Sequence, residues 1–294
     1  MTAAGASLVI GATGLLGRAI SERLRSLGHR VLETKRQSGD GSPSLDISAM
    51  TGSWAPPSGV ATAYLCAAVT SQRVCRALFD EAYAVNVTNT VLLARRLVDA
   101  GIFVVFPSTN LVFDGSRPHE QANAARCPRT AYGRMKADAE QRLLAIGGGI
   151  GIVRLTKVVH SHLPIFVQWR STLSRDADVH PYHDMVFSPL LLREAVSVLI
   201  TAGRARAEGV MQVSAQDDIS YAEACRLLAK CLAVPEARVK PVAWQEAQSG
   251  LEHVPEHTTL GTGRAEEVCG FAPLKAQAVL EEVFAHPTAI QGAP

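Results

Sequence analysis

The stretch "SLVIGATGLLGRAI", Ser7 to Ile20, decides the fold. Residues 7–12 form a short apolar run of strand length, and a helical pattern runs from about Gly14 to Leu27, ending at Gly28. Between the two lie Gly11, Gly14 and Gly17. Glycines here let the backbone approach a ligand closely, and the unpaired N–H groups of a helix N-terminus attract phosphate. A glycine turn alone often serves only tight packing. The strand before it, the helix after it and its place at residue 11 together predict a nucleotide-binding start.

Outward from this point the rhythm continues. "HRVLETK" (29–35) and "VATAYLCAA" (60–68) read as strands, residues 82–101 as a long helix closed by Gly101, and 102–109 as a buried strand. A helix over 132–146 and a strand over 149–156 follow. Strands alternating with helices predict an α/β fold with a doubly wound parallel sheet of the Rossmann kind. Residues 1–157 are assigned to it. Residues 158–294 are read as a smaller α+β substrate-binding part, some of whose elements return to the sheet. Within that part, 157–188 shows no long period and reads as a loop-rich pocket wall. A helix is expected over 189–203, a strand over 209–215 and a helix over 220–234, where Ser220 and Glu223 fit a capping box.

Composition narrows the function. The 294 residues are 47% hydrophobic and 19% charged, with a net charge of +2. That describes a globular chain with no basic stripe for nucleic acid. Six cysteines without a CxxC pair read as reduced thiols. No apolar run is long enough for a membrane span or signal segment, so a cytoplasmic location is expected. "HPYHD" (180–184) and "HVPEH" (253–257) carry proline inside the histidine spacing, and no metal site is expected.

The chemistry-bearing residues lie farther along. In "RTAYGRMK" (129–136), Tyr132 and Lys136 stand one helical turn apart and share a face. "FPSTNLVFDG" (106–115) ends a buried strand with Ser108 and Thr109, and ligands of doubly wound sheets bind at such strand ends. A phenol with an ordinary pKa of ~10 is a poor acid–base group at neutral pH until a neighbouring ammonium stabilises its anion.

A GxxGxxG loop followed by YxxxK resembles the extended branch of the short-chain dehydrogenase/reductase superfamily. Within that branch "STNLVFDG", "PRTAYGRMKADAE", "VRLTKVV", "DMVFSP" and "TTLGTGRAEEVCGF" resemble the dTDP-4-dehydrorhamnose reductase family. The resemblance implies NADPH-dependent reduction of a 4-keto group on a nucleotide-linked deoxysugar. Tyr132 would serve as acid/base, and Lys136 would hold the phenolate and the nicotinamide ribose. Thr109 would polarise the carbonyl. Gly11, Thr13, Gly14, Leu15, Leu16 and Gly17 would cradle the dinucleotide. Asp46 and Ile47 match the segment over the adenine, Cys66, Ala67 and Ala68 the Asn-Ala-Ala position, and Asn86 the helix asparagine that supports the lysine through water. Lys35 and Arg36 end the second strand where an acidic residue would select NAD, so NADP(H) is favoured over NAD(H). A homodimer through helices 82–100 and 132–146 is a family-level expectation. Departures fall on the substrate side: Asn110 and Leu111 replace Asp-Tyr, and Lys157 replaces an aromatic residue. An epimerase or dehydratase on the same scaffold, and a non-catalytic binding or regulatory subunit, remain alternatives.

Overall fold

A computed structural model describes residues 5–36, 43–50, 54–244 and 251–286. Its N-terminal half runs β1 (Ala6–Ile10), α1 (Leu15–Ser26), β2 (Val31–Glu33), β3 (Val60–Leu65), α2 (Gln72–Ala77), α3 (Phe79–Tyr83), α4 (Thr90–Asp99), β4 (Phe103–Thr109), α5 (Ala131–Leu144) and β5 (Ile150–Leu155). Then come β6 (Lys157–Val159), α6 (Pro164–Leu173), β7 (Val186–Phe187), β8 (Pro189–Leu191), α7 (Leu192–Arg204) and β9 (Gly209–Val213). The chain closes with β10 (Ile219–Ser220), α8 (Tyr221–Cys231), α9 (Gly263–Cys269) and α10 (Ala276–Ala285).

Six strands form one parallel sheet in the order β2-β1-β3-β4-β5-β9. The order reverses beside β1, which puts the glycine loop at the switch point where such sheets bind ligands. Side chains alternate between faces with period two. Leu8 and Ile10 join the core under α4 and α5, while Val9 joins the core with Ile20 and Leu24 of α1 and Leu199 of α7. A third core gathers Phe166 and Trp169 of α6, Tyr221 and Leu228 of α8 and Phe284 of α10. From the C-terminal half, β9 pairs in parallel with β5.

Three local expectations change. The helix expected from 189 begins at Leu192, because Pro189–Leu191 pair in parallel with Lys157–Val159. An apolar triplet does not distinguish strand from helix by period. The region read as loop contains α6, whose Phe166, Trp169 and Leu173 are buried at helical spacing. The helix expected over 82–101 is interrupted by a π-helical turn at Ala84–Asn89. The capping box on α8 forms as expected: Ser220 Oγ accepts from Glu223 N at 3.1 Å, and Glu223 Oε2 accepts from Ser220 N at 2.9 Å. Among the described residues no helix is long and apolar enough to cross a membrane.

Candidate active site

The glycine loop is built for contact. Gly11 has φ +87°, and a Cβ there would stand 2.5 Å from Ala67 N. A Cβ on Gly17 would stand 2.2 Å from Gly11 O, so α1 lies directly on the loop. The Gly14 position is different, since its added Cβ would meet nothing nearer than Gly11 O at 3.5 Å. Gly14 caps α1 without a side-chain acceptor, and no acidic residue sits in the first turn. Arg18 N–H is the first to find a carbonyl, Gly14 O at 2.9 Å. The N–H groups of Leu15, Leu16 and Gly17 precede it and have no acceptor within the helix. A dinucleotide pyrophosphate fits this donor set.

The other residues expected in the cradle lie on the segments that follow β2 and β3 and just before α4. Glu33, at the end of β2, is held by Arg25 Nη2 at 2.8 Å, while Lys35 and Arg36 are exposed just beyond. Asp46 caps a 3₁₀ turn at Ile47–Ala49, and its bonds from Ser48 hold the carboxyl below its ordinary range. Cys66 N donates to Ile10 O at 2.8 Å, so this segment meets the loop through backbone. It follows the third strand in chain order, and residues near Ser44 contribute only an isolated bridge to Lys35. Ala67 packs on the core and Ala68 is exposed. Asn86 lies in the π turn with its amide on Val69: Oδ1 accepts from Val69 N at 2.8 Å, and Nδ2 donates to Val69 O at 2.9 Å. It clamps main chain and has no direct bond to Lys136.

The segments that carry Thr109, Tyr132 and Lys136 pack on one another through backbone. A Cβ on Gly133 would stand 2.2 Å from Leu111 O, so the first turn of α5 rests on the chain just past β4. Thr130 caps α5 by accepting from Gly133 N at 3.0 Å. Lys136 Nζ donates to Pro107 O at 2.6 Å and lies 3.6 Å from the centre of the Phe106 ring. Its pKa is pushed down to about 7 by burial, against the opposing fields of Glu140 and Cys66. Burial raises the Tyr132 phenol above its ordinary value, with a smaller push from Cys75. At rest the Tyr132 phenol is therefore neutral, and the Lys136 amine is poised near neutrality. Thr109 Oγ1 accepts from Leu111 N at 3.2 Å and points its hydrogen towards Asn110 Oδ1 at 3.4 Å.

Ser108, Thr109's neighbour, faces the other way. Its hydroxyl donates to Glu140 Oε1 at 2.5 Å, and Glu140 is bound by Arg154, with Nη2 on Oε2 at 2.7 Å. Both charged side chains are fully buried. Arg154 Nη1 reaches Gln212 Oε1 at 2.9 Å and Ala122 O at 3.1 Å, so the network joins β4, α5, β5 and β9. Sequence reasoning passed over this pair. The available signals were an arginine inside the apolar run "GIVRL" and a glutamate one turn beyond Lys136. Also missed was Glu252, which arrives from far along the chain and accepts from Ala131 N at 3.0 Å, next to Tyr132. Of the residues expected to face substrate, Asn110 lines a small pocket with Arg117 and His257. The Lys157 ammonium lies 5.6 Å from the centre of the Tyr221 ring. No cluster of metal-ligating side chains occurs among the described residues.

The RmlD substrate-binding domain family matches residues 6–288. The chain belongs to that family. A dTDP-4-keto-6-deoxy-D-glucose reductase from Streptomyces niveus is 29% identical over 272 residues, covering 91% of this chain and 92% of the relative. The methionine adenosyltransferase 2 subunit beta of Xenopus tropicalis is 22% identical over 255 residues, covering 80% of this chain and 75% of the relative. A solved dTDP-4-dehydrorhamnose reductase from Bacillus anthracis in complex with NADP superposes with TM-score 0.80 at 20% identity, covering 97% of this chain and 99% of that one. MoeE5 in complex with UDP-glucose and NAD superposes with TM-score 0.78 at 21% identity, covering 95% and 97%. These likenesses carry the Rossmann-type fold read from the glycine loop.

Proposed function

We propose that the chain is an NADPH-dependent reductase acting on the 4-keto group of a nucleotide-linked deoxysugar. The observation that carries this reading is the packing of Gly133 on Leu111 O. It brings the Tyr132–Lys136 turn against the end of β4, while the free N–H groups of α1 open at the same edge of the sheet. The full-length likeness to a keto-sugar reductase from Streptomyces niveus supports the substrate class.

A reduced nicotinamide, when bound, would supply the hydride. The chain's own residues handle the proton. Tyr132, kept neutral by burial, donates its phenolic proton to the carbonyl oxygen. Thr109 Oγ1 has only a 3.4 Å contact for its hydrogen, so that hydrogen is available to the same oxygen. Lys136, in its ammonium form, stabilises the phenolate that results. Glu33 is already engaged by Arg25, and Lys35 and Arg36 stand exposed at the ribose end, which favours NADP(H) over NAD(H).

Asn110 and Leu111 after Thr109 argue against a dehydratase, which would carry an acidic pair there. The likeness to a methionine adenosyltransferase beta subunit gives the binding-subunit reading its support. The Thr109, Tyr132 and Lys136 set favours catalysis. A homodimer also belongs to the proposal: Phe79 stacks on Tyr83, Tyr83 receives a hydrogen bond from Arg142, and Phe79, Leu92 and Leu144 are exposed on α3, α4 and α5. Sedimentation of the purified chain tests it, a monomer at micromolar concentration removing the claim.

The deciding assay follows NADPH absorbance with a panel of nucleotide-linked keto-sugars. One NADPH consumed per product supports the reductase. Turnover without net consumption would identify an epimerase, and silence with every keto-sugar would favour a binding subunit.

A further inference from the structure

Two successive residues of β4 hold two successive turns of α5. Pro107 O accepts from Lys136 Nζ at 2.6 Å, and Ser108 Oγ donates to Glu140 Oε1 at 2.5 Å. Lys136 and Glu140 stand four residues apart and share a face of the helix. Lys136 is 3% exposed and Glu140 not at all, so their charges interact inside the protein, where water screens them least.

Stability alone does not account for the glutamate. Arg154 binds it through Nε on Oε1 at 3.0 Å and Nη2 on Oε2 at 2.7 Å, with both side chains fully buried. Such a pair is costly to desolvate, and apolar residues of similar volume often stabilise as well or better. Apolar residues would not supply a negative charge beside a buried ammonium. Among the described residues, the other groups that act on Lys136 do not supply one either. From β4 it meets the Phe106 ring and a carbonyl oxygen. Cys66, which follows β3, keeps its proton because burial pushes the thiol up to about 12. Tyr132, one turn earlier on α5, is a neutral phenol. Two cations reach Glu140 itself: Arg154 and, with Nη1 3.8 Å from Oε2, Arg126.

We infer that Glu140 is a positioning residue for the site: held in place by Arg154 and Ser108, its carboxylate favours the ammonium form of Lys136. Burial drives this amine down to about 7, and the field of Glu140 works against that fall. Without the carboxylate, Lys136 is mostly an uncharged amine at neutral pH and cannot stabilise a phenolate at Tyr132. That consequence for catalysis rests on the reductase reading, whereas the charge state of Lys136 does not.

The test reads Lys136 directly. The full chain is made with isotope-labelled lysine and titrated by NMR, the Lys136 signal being assigned by its absence in Lys136→Met. Glu140→Gln should move the midpoint about one pH unit or more below that of the wild type. Glu140→Asp disturbs the same bonds but keeps the charge, and should leave the midpoint within about half a unit. Because Glu140→Gln leaves Arg154 buried without a counter-charge, the double variant Glu140→Gln/Arg154→Met guards against a failure to fold. Its midpoint should move in the same direction and less far. The other lysines should titrate as they do in the wild type. If Lys136 titrates as in the wild type in both Gln variants, or if Asp shifts it as far as Gln does, the inference is overturned. In NADPH oxidation with a keto-sugar, the alkaline fall in rate should move with the midpoint. A midpoint that moves as expected in a chain that reduces no keto-sugar keeps the inference and loses the reductase reading.

Discussion

The ends of β1 and β4 lie at the same edge of one sheet and are built by opposite means. At β1 the surface is made of backbone: glycines remove side chains, and α1 presents bare N–H groups. At β4 the side chains act, each fixed by a separate bond: Ser108 on Glu140, Lys136 on Pro107 O, Thr109 on Leu111 N. A site made of backbone tolerates changes of residue type so long as nothing fills its space. A site made of side chains loses its chemistry with one atom.

That contrast predicts a double dissociation, and its largest effect is at β4. Tyr132→Phe should lower kcat about 10²- to 10⁴-fold while leaving NADPH affinity within about twofold, since only the proton donor is removed. A calorimetric titration alongside initial rates reads both. Equal loss in the two would mean that the phenol is a binding group. The network behind β4 should answer in stability instead. Glu140→Ala leaves Arg154 buried and unpaired, and should remove about 3–5 kcal/mol of unfolding free energy in urea. A loss near zero would mean that water reaches the pair.

At β1 the expected effects are smaller and separable. Gly17→Ala puts a methyl 2.2 Å from Gly11 O, and the helix must shift, lowering stability by about 1–3 kcal/mol. Gly14→Ala meets only ordinary contact within the protein, so the melting point should hold while NADPH affinity falls. If Gly14→Ala binds NADPH normally, the pyrophosphate does not cross this residue.

Acidity separates the ends again. The Lys136 pKa is pushed down to about 7 by burial, so its ammonium is lost as pH rises through that value. Keto-sugar reduction should therefore fall on the alkaline side of about pH 7, and approach tenfold per unit where chemistry limits the rate. Stability moves oppositely. Above about 7 the native state has shed a proton that the unfolded lysine keeps until ~10.4, so this group's contribution becomes more favourable with rising pH. Lys136→Met should flatten the stability change over that window, and an unchanged slope would place the titration elsewhere.

The two ends were also unequally legible. Gly11, Gly14 and Gly17 announce their geometry because a glycine pattern between an apolar run and a helix has few other uses. Tyr132 and Lys136 could be paired from helical spacing alone, but Gly133 could not be seen as the residue that lets α5 rest on Leu111 O. Glu140 and Arg154 were hidden because a lone charge in a helix or strand usually faces water, and only the fold buries both. Glu252 was hidden by distance, reaching Ala131 from more than a hundred residues away. Pro189–Leu191 looked helical because its strand partner, Lys157–Val159, is not sequence-adjacent.

The smallest effect bears hardest on the contrast, because Cys66 stands where the family's asparagine would. Its N–H is bound to Ile10 O, and Gly11 packs against its carbonyl carbon, so its backbone is what the loop requires. Burial pushes its thiol up to about 12, despite the opposing field of Lys136, leaving it protonated at neutral pH. Cys66→Ala should then change NADPH affinity by no more than about twofold, within the range of substitutions that touch nothing essential. Iodoacetamide at neutral pH should label the exposed Cys127 and Cys231 well before Cys66. A tenfold loss of affinity in Cys66→Ala would make its side chain a cofactor contact. The β1 end would then share the side-chain dependence of β4, and the contrast would narrow to the glycines alone.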